Sequence, residues 1–514
     1  MARRLVTSRR CSTGYGRSRN RVSSGKQLWR FYTVPDDPAN GSQPDYLQRA
    51  AQTWHGEWWK LGGGGTVWDS MAYDPDLDLL YIGVGNGSPW NQSYRSPAPK
   101  GANNDNLYLS SIVAIRPETG EYVWHYQTTP GETWDFTATQ HIILADLDID
   151  GRRRKVLMQA PKNGFFYVID RQTGEFISAR NFVDVNWATG IDPVTHRPIE
   201  VPAARYYETG QPFIASPGAG GAHNWHPMSY DPQTGLVFIP ANLAAFPYAP
   251  EADWKPAQLG FNIGVDLGAV AMPADSGVRA QTLENTRGAL IAWDPVAQKE
   301  RWRVSYDGPW NGGTLATAGG LVFQGNAAGR FSAFDTTDGR QLWSTAAETG
   351  IVAAPMTYGL GGEQYVAVMA GWGGIWALAP GLLSTKSGPL PNISRLLVYK
   401  LGGRDTLPER MPIADRVLDP PPSTASAEHI ARGGYLFGRY CGQCHGDAAI
   451  AGTLVADLRY SGALENQNTW KRIVHDGLLS SAGMVSFAPV MSVDDTESIR
   501  QYVIKRANED VDLE

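Results

Sequence analysis

Ala333-Phe-Asp-Thr-Thr-Asp-Gly-Arg-Gln-Leu-Trp343 reads as a strand, a turn built on Asp and Gly, and a second strand closed by tryptophan. The same element recurs as Ala114-Ile-Arg-Pro-Glu-Thr-Gly-Glu-Tyr-Val-Trp124, Asp170-Arg-Gln-Thr-Gly-Glu-Phe176 and Ala292-Trp-Asp-Pro-Val-Ala-Gln-Lys-Glu-Arg-Trp302. Its second half stands alone as Gly25-Lys-Gln-Leu-Trp29. A companion hairpin runs from Met71-Ala-Tyr-Asp-Pro75 into Leu79-Leu-Tyr-Ile-Gly83, and again from Met228-Ser-Tyr-Asp-Pro232 into Leu236-Val-Phe-Ile239. Short strands, glycine turns and a periodic tryptophan predict an all-β propeller over residues 26–385, each blade burying its faces against its neighbours. A β-sandwich whose segments are alike by chance is the alternative.

Working outward, 514 residues are enough for two or three domains. The 57 glycines, 34 prolines and 18 tryptophans belong to a turn-rich, aromatic β protein. A net charge of −6, with no basic stripe beyond the first residues, argues against a nucleic-acid partner or an anionic membrane surface. No apolar run approaches the roughly 20 residues of a membrane-spanning helix. Residues 1–25 carry seven arginines, and no acidic residue precedes Asp36. This leader has neither the apolar face of a transit peptide nor the apolar core of a secretory signal. It breaks abruptly into the repeat, so it is read as an atypical, non-native start and set aside.

Cys441-Gly-Gln-Cys444-His445 carries a different chemistry. Two thiols at this spacing, followed at once by histidine, suit covalent attachment of haem c: Cys441 and Cys444 add to the vinyl groups and His445 becomes an iron ligand. A zinc ribbon needs a second ligand pair, and the one remaining cysteine, Cys11, lies in the leader. A thioredoxin-like pair would follow a strand, whereas residues 427–440 read as a short helix. For the other axial position Met484, in a loop, is favoured over Met491. The latter abuts a helix start where Ser492 and Asp495 resemble a capping box, ahead of apolar Ile499, Val503 and Ile504, and so reads as core.

Propeller repeats followed by this motif resemble the quinohaemoprotein alcohol dehydrogenases over residues 25–514. The resemblance implies a propeller, eight-bladed in the family, that holds pyrroloquinoline quinone (PQQ) and Ca²⁺. A proline-rich linker at 386–424 and a small all-α cytochrome c domain at 425–514 follow it. It implies oxidation of small alcohols to aldehydes, with electrons leaving through haem c. Asn86, in Gly83-Val-Gly-Asn-Gly-Ser-Pro-Trp90, matches the family's Ca²⁺ asparagine; on its own, Asn-Gly is ordinarily a turn. Asp135, in Thr133-Trp-Asp-Phe136, matches the general base and a second Ca²⁺ ligand at a strand end; without the resemblance it reads as a turn residue. Lanthanide-dependent relatives have an aspartate two places later, where this chain has Thr137, which favours Ca²⁺.

For PQQ, the resemblance implies contacts from Thr66, from Lys162 to the quinone oxygens, and from Asn224 and Trp225, with Trp68 as the floor under the ring. Lys162 is conspicuous even alone, since a lysine in an apolar strand needs a partner. Trp310, in Trp310-Asn-Gly-Gly313, and the stretch Gly371-Trp-Gly-Gly374 are expected to line the same cavity. His223 and His226 at this spacing also admit a metal-site reading. Family members begin earlier, with about three more blades that hold a Ca²⁺ glutamate, a PQQ arginine and threonine, and a disulfide between adjacent cysteines. The chain as written is therefore expected to have an incomplete propeller and no dehydrogenase turnover. The electron acceptor is expected to be a blue-copper protein, a soluble cytochrome c or a quinone-linked subunit, in the periplasm, with no signal peptide in this sequence. Alternatives are subunit I of a membrane-bound dehydrogenase complex, and an electron-transfer protein with a non-catalytic propeller.

Overall fold

Three of the four repeats turn on an aspartate whose carboxylate accepts from the backbone two residues on. Asp335 Oδ1 takes the Thr337 N–H at 2.9 Å, Asp170 Oδ1 that of Gln172 at 2.9 Å, and Asp294 Oδ1 that of Val296 at 3.0 Å. The turn then needs a left-handed residue, supplied by Gly120, Gly174 and Gly339 at φ 75–78°. The tryptophans explain why these are glycines. A Cβ on Gly120 would lie 2.6 Å from Trp29, on Gly174 2.7 Å from Trp124, and on Gly339 2.6 Å from Trp302. Thus the closing tryptophan of one sheet seats on the turn glycine of the next. The exception follows the same logic: the repeat that ends in Phe176 supplies no indole, and the next turn uses Gln298 at φ 51° in place of glycine.

The computed structural model describes residues 5–6, 16–20, 23–41, 43–272, 275–379, 381–387, 391–408, 416–451 and 454–511. Four antiparallel four-stranded sheets form the blades. The first comprises Val67–Asp74, Leu79–Val84, Ser111–Ile115 and Tyr122–Gln127. The second comprises Ile143–Ile149, Arg152–Gln159, Phe165–Asp170 and Phe176–Asn181. The third comprises Ser229–Asp231, Leu236–Leu243, Arg287–Asp294 and Lys299–Tyr306, and the fourth Thr314–Thr317, Leu321–Gly325, Arg330–Asp335 and Gln341–Ala346. The inner strands bury apolar residues between two sheets, as in Val156, Met158, Val168, Val237, Ile239 and Ile291, all in one core.

Two three-stranded sheets flank the four blades, and each changes an expected boundary. Arg395–Lys400 pairs with Glu363–Ala370, so the propeller runs past 385 and the linker expected from 386 begins after Lys400. Its alternation of Leu396 and Val398 outward against Leu397 inward is a strand pattern interrupted from the repeats by Pro- and Gly-rich sequence. At the other end, Gly16–Asn20 of the leader pairs with Gln27–Tyr32, and Arg19 donates to Pro117 O at 2.7 Å and pairs with Glu118 at 3.0 Å. Part of the segment set aside from the fold is thus paired into it; Cys11 lies outside the described residues.

The C-terminal helices match their sequence signals. Ala427–Tyr440 is capped by the Ser426 hydroxyl, and Val493–Val511 opens on a reciprocal box in which Ser492 N donates to Asp495 Oδ2 at 2.9 Å and Asp495 N to Ser492 Oγ at 3.1 Å. Phe437, Trp470, Met491, Ile499 and Val503 fill the core between them. This domain rests on a loop inserted between two propeller strands. Glu251 accepts from Tyr435 and Arg439 at 2.9 Å each, Phe261 N donates to Arg439 O at 2.9 Å, and Met272 N donates to Asp447 at 2.9 Å.

Gly174→Ala is expected to cost about 3 kcal/mol, because it adds left-handed strain to overpacking against Trp124. Urea denaturation of the variant should show the drop; a loss below about 1 kcal/mol would mean that the indole has room to move.

Candidate active site and haem motif

The loops leaving the inner strands of the first two blades meet at one point. Gly85 N donates to Thr66 O at 2.8 Å, Gly65 N to Asn86 O at 2.9 Å, and Ala138 N to Val84 O at 3.1 Å. These bonds bring Thr66, Asn86 and the loop carrying Asp135 side by side. Asp135 is not at a strand end as expected; it sits at φ 62° in the connection between Tyr122–Gln127 and Ile143–Ile149. Its neighbours hold it there. Trp134 is fully buried and donates through Nε1 to Ala204 O at 2.9 Å, and Phe136 is fully buried beside it.

Lys162 lies in the turn between Arg152–Gln159 and Phe165–Asp170, not within an apolar strand, and its ammonium donates to Asp135 Oδ2 at 2.8 Å. The pair answers the question of how a 4% exposed lysine is tolerated. The same ammonium lies 5.6 Å from the centre of the Trp68 ring. Burial lifts the Asp135 carboxyl above the ordinary range, and Lys162 opposes that lift.

Aromatic rings continue from this pair. Trp68 is 6.0 Å from Trp225, Trp225 meets Trp310 edge-on at 5.0 Å, and Trp310 stacks on Trp376 at 5.8 Å. Gly374 packs directly against Trp225 and Trp310, joining the 371–374 stretch to the group. Trp376 was not anticipated; no repeat marks it. Asn224 spends its amide on its own loop, donating to Gly220 O and accepting from Trp225 N at 2.8 Å each. The His223 nitrogens face Ala160 O at 2.7 Å and His226 O at 2.6 Å, so backbone carbonyls take the positions that a metal would need.

Sequence reasoning also missed Glu132 and Arg95. Glu132 is fully buried; it accepts from Gly87 N at 3.0 Å and from Phe136 N at 2.9 Å. Burial pushes it up to about 7 against the pull of Arg95 and these N–H groups. The fully buried Arg95 guanidinium donates to the carbonyls of Pro89, Trp90 and Glu132.

The residues present supply part of the donor set for the expected groups. Asn86 and Asp135 offer the oxygen atoms a hard cation takes. For a planar, acceptor-rich quinone the site offers indole faces, the Lys162 ammonium and Trp310 Nε1, a buried donor with no partner among the described residues.

In the haem motif, His445 Nδ1 contacts Ala456 O at 2.8 Å, which fixes the ring and leaves Nε2 for iron. Cys441 is buried and Cys444 exposed. Met484 is partly buried on the edge of the helical core, whereas Met491 is inside it at 5% exposure.

Residues 17–185 and 278–366 match the family model described as glucose/ethanol/alcohol dehydrogenase, beta-propeller domain, and residues 428–503 that of cytochrome C oxidase, cbb3-type, subunit III. The chain belongs to the quinohaemoprotein alcohol dehydrogenase family. It is 50% identical to quinohemoprotein alcohol dehydrogenase ADH IIB of Pseudomonas putida over 95% of this chain and 69% of that protein. It is 46% identical to the dehydrogenase subunit of the alcohol dehydrogenase (quinone) of Komagataeibacter europaeus, over 95% and 66% respectively. The structure of ADHIIG from Pseudomonas putida superposes with a TM-score of 0.91 at 45% identity, covering 97% of this chain and 72% of that one. The Comamonas testosteroni enzyme superposes at 0.85 and 40%, covering 98% and 73%. The chain thus spans about two thirds of the length of these relatives.

Burial holds His125 and His223 down at about 4 and His226 at about 3, so all three are neutral when folded. An unfolded imidazole titrates near 6.5, so this stabilisation is complete above that pH and is lost as pH falls toward about 4. Calorimetry should show Tm falling over this window, and His125→Gln should flatten part of the fall. An unchanged slope in the variant would mean that His125 is charged when folded.

Proposed function

We propose that this protein oxidises alcohols to aldehydes and passes the electrons through a covalent haem c to an external acceptor. The observation that carries the reading is the buried Lys162–Asp135 pair at 2.8 Å beside Trp68 and the Asn86 loop, in a chain that also bears CxxCH. When bound, PQQ supplies the two-electron acceptor, Ca²⁺ the Lewis acid beside it, and haem c the one-electron relay.

Asp135 is the base that takes the alcohol hydroxyl proton, and burial suits it by raising its proton affinity toward neutrality. Lys162 holds that carboxylate in place and directs its remaining N–H groups at quinone oxygens. Trp68, Trp225, Thr66 and Asn224 would hold the quinone, Trp68 as the floor, and Trp310 Nε1 would offer it a donor. Asn86 and Asp135 give oxygens to Ca²⁺. Thr137 favours that ion over a lanthanide, since its hydroxyl accepts from Gln140 at 2.9 Å and brings no second charge. His445 and Met484 are the iron ligands, and Cys441 and Cys444 the attachment points. A periplasmic location is part of this reading, and the haem c motif supports it. The acceptor is a blue-copper protein, a soluble cytochrome c or a quinone-linked subunit; among the described residues no helix is long and apolar enough to cross a membrane.

The test is to express the complete reading frame with export and cytochrome c maturation, add PQQ and Ca²⁺, and follow the haem spectrum after adding ethanol or 1-butanol. Reduction that needs both additions is expected. Haem that stays oxidised with every alcohol tried would leave the non-catalytic electron-transfer reading.

A further inference from the structure

Two loops must be held in register for Asn86 and Asp135 to serve one cation. Asn86 follows Leu79–Val84, while Asp135 stands in a left-handed turn nearly fifty positions later. The Glu132 side chain touches both loops at the residues next to Asn86 and Asp135. Glu132 Oε2 accepts from Gly87 N at 3.0 Å, immediately after Asn86, and Glu132 Oε1 accepts from Phe136 N at 2.9 Å, immediately after Asp135. We propose that Glu132 is a positioning residue that clamps the Asn86 and Asp135 loops together for one divalent cation, through one carboxylate bonded to one backbone N–H of each. The inference rests on the cation reading above and extends it to a residue that does not itself ligate.

The chemistry of the clamp explains why a carboxylate is used. Two N–H donors on different loops need two acceptors on one rigid, planar group, and a carboxyl group presents two oxygens, one for each. A fully buried charge is costly unless it is satisfied, so its retention here calls for a role. Arg95 completes the arrangement from below: it is fully buried and donates to Pro89 O and Trp90 O on the Asn86 loop and to Glu132 O on the Asp135 loop. The same two loops are therefore tied twice, once by an anion through their N–H groups and once by a cation through their carbonyls. Asn86 is left free to offer its side-chain oxygen, since its Nδ2 donates to Gly87 O at 2.9 Å.

Glu132→Gln keeps shape and one acceptor but turns an amide N–H toward one of the two loop N–H groups. Supports for metal ligands of this kind change affinity by about 10–100-fold. The dissociation constant for Ca²⁺, titrated into chelator-stripped protein holding PQQ and read by tryptophan quenching, is expected to rise by that factor, with kcat recovering at saturating Ca²⁺. Glu132→Asp, which keeps the charge and both oxygens but is one methylene shorter, should weaken Ca²⁺ in the same direction. A wild-type constant in either folded variant overturns the clamp. Hydrogen exchange of the metal-free wild type gives a reading that needs no variant. Peptides holding Gly87 and Phe136 should already be protected before Ca²⁺ is added, and free exchange at both amides overturns the clamp. Absence of Ca²⁺ uptake by the wild type, with these amides protected, counts against the cation reading instead.

Discussion

With the missing blades restored from a full-length relative, Asp135→Asn is expected to retain PQQ and lower alcohol-driven haem reduction by about 10²–10⁴-fold, the range a positioned general base contributes. The substitution keeps the size of the side chain and one oxygen, so the loop between Trp134 and Phe136 stays anchored by its own buried contacts. It removes the proton acceptor. It also strips Lys162 of its counter-charge, and so some loss of PQQ affinity is expected alongside the rate effect. The two separate in the kinetics: kcat at saturating PQQ, Ca²⁺ and alcohol reports the base, and PQQ titration reports Lys162. The pH profile supplies a further check. Burial raises the Asp135 proton affinity and Lys162 lowers it, so the rate should fall as pH drops through the Asp135 value. Removing the ammonium in Lys162→Gln should move that limb to higher pH. Near-normal kcat in Asp135→Asn would remove Asp135 from the mechanism.

What the sequence made legible follows from which interactions repeat. Propeller blades are copies, so the Asp turn, the glycine at positive φ and the closing tryptophan each appear at least three times and declare themselves. Even their failure is coupled, since Phe176 and Gln298 depart together. The haem motif is legible for a second reason: thiol, thiol and imidazole must be close in sequence to reach one porphyrin. Glu132 and Arg95 were not legible. Their partners are main-chain N–H and carbonyl groups, which any residue provides, so nothing at Gly87, Pro89 or Phe136 marks them as partners. Trp376 was hidden differently, being one indole among many, and only its stack on Trp310 sets it apart. The expected linker failed because Arg395–Lys400 is a lone strand whose partner, Glu363–Ala370, lies across Gly- and Pro-rich sequence.

Met484 and Met491 were separated in the sequence by their surroundings alone, and their substitutions should have opposite signatures. Met491 is packed among Phe437, Phe487 and Ile499 at the start of the last helix, and its backbone N–H donates to Phe487 O at 2.9 Å. Met484 sits on a loop that Gly483 turns at φ 95°, partly buried on the edge of the same core. A thioether that ligates iron must leave the apolar interior and face the metal, and Met484 alone is placed at a surface where that is free to happen. Met484→Ala is therefore expected to abolish the methionine-to-iron band in the red region of the oxidised spectrum and to lower the haem potential, with covalent haem retained through Cys441 and Cys444. Met491→Ala should keep the band and cost about 2–5 kcal/mol of domain stability, the range for truncating a buried methionine. Visible spectra and denaturant melts of the two variants decide between them. A band that survives Met484→Ala and vanishes in Met491→Ala would exchange the two assignments, and would require the last helix to give up a core residue when haem binds.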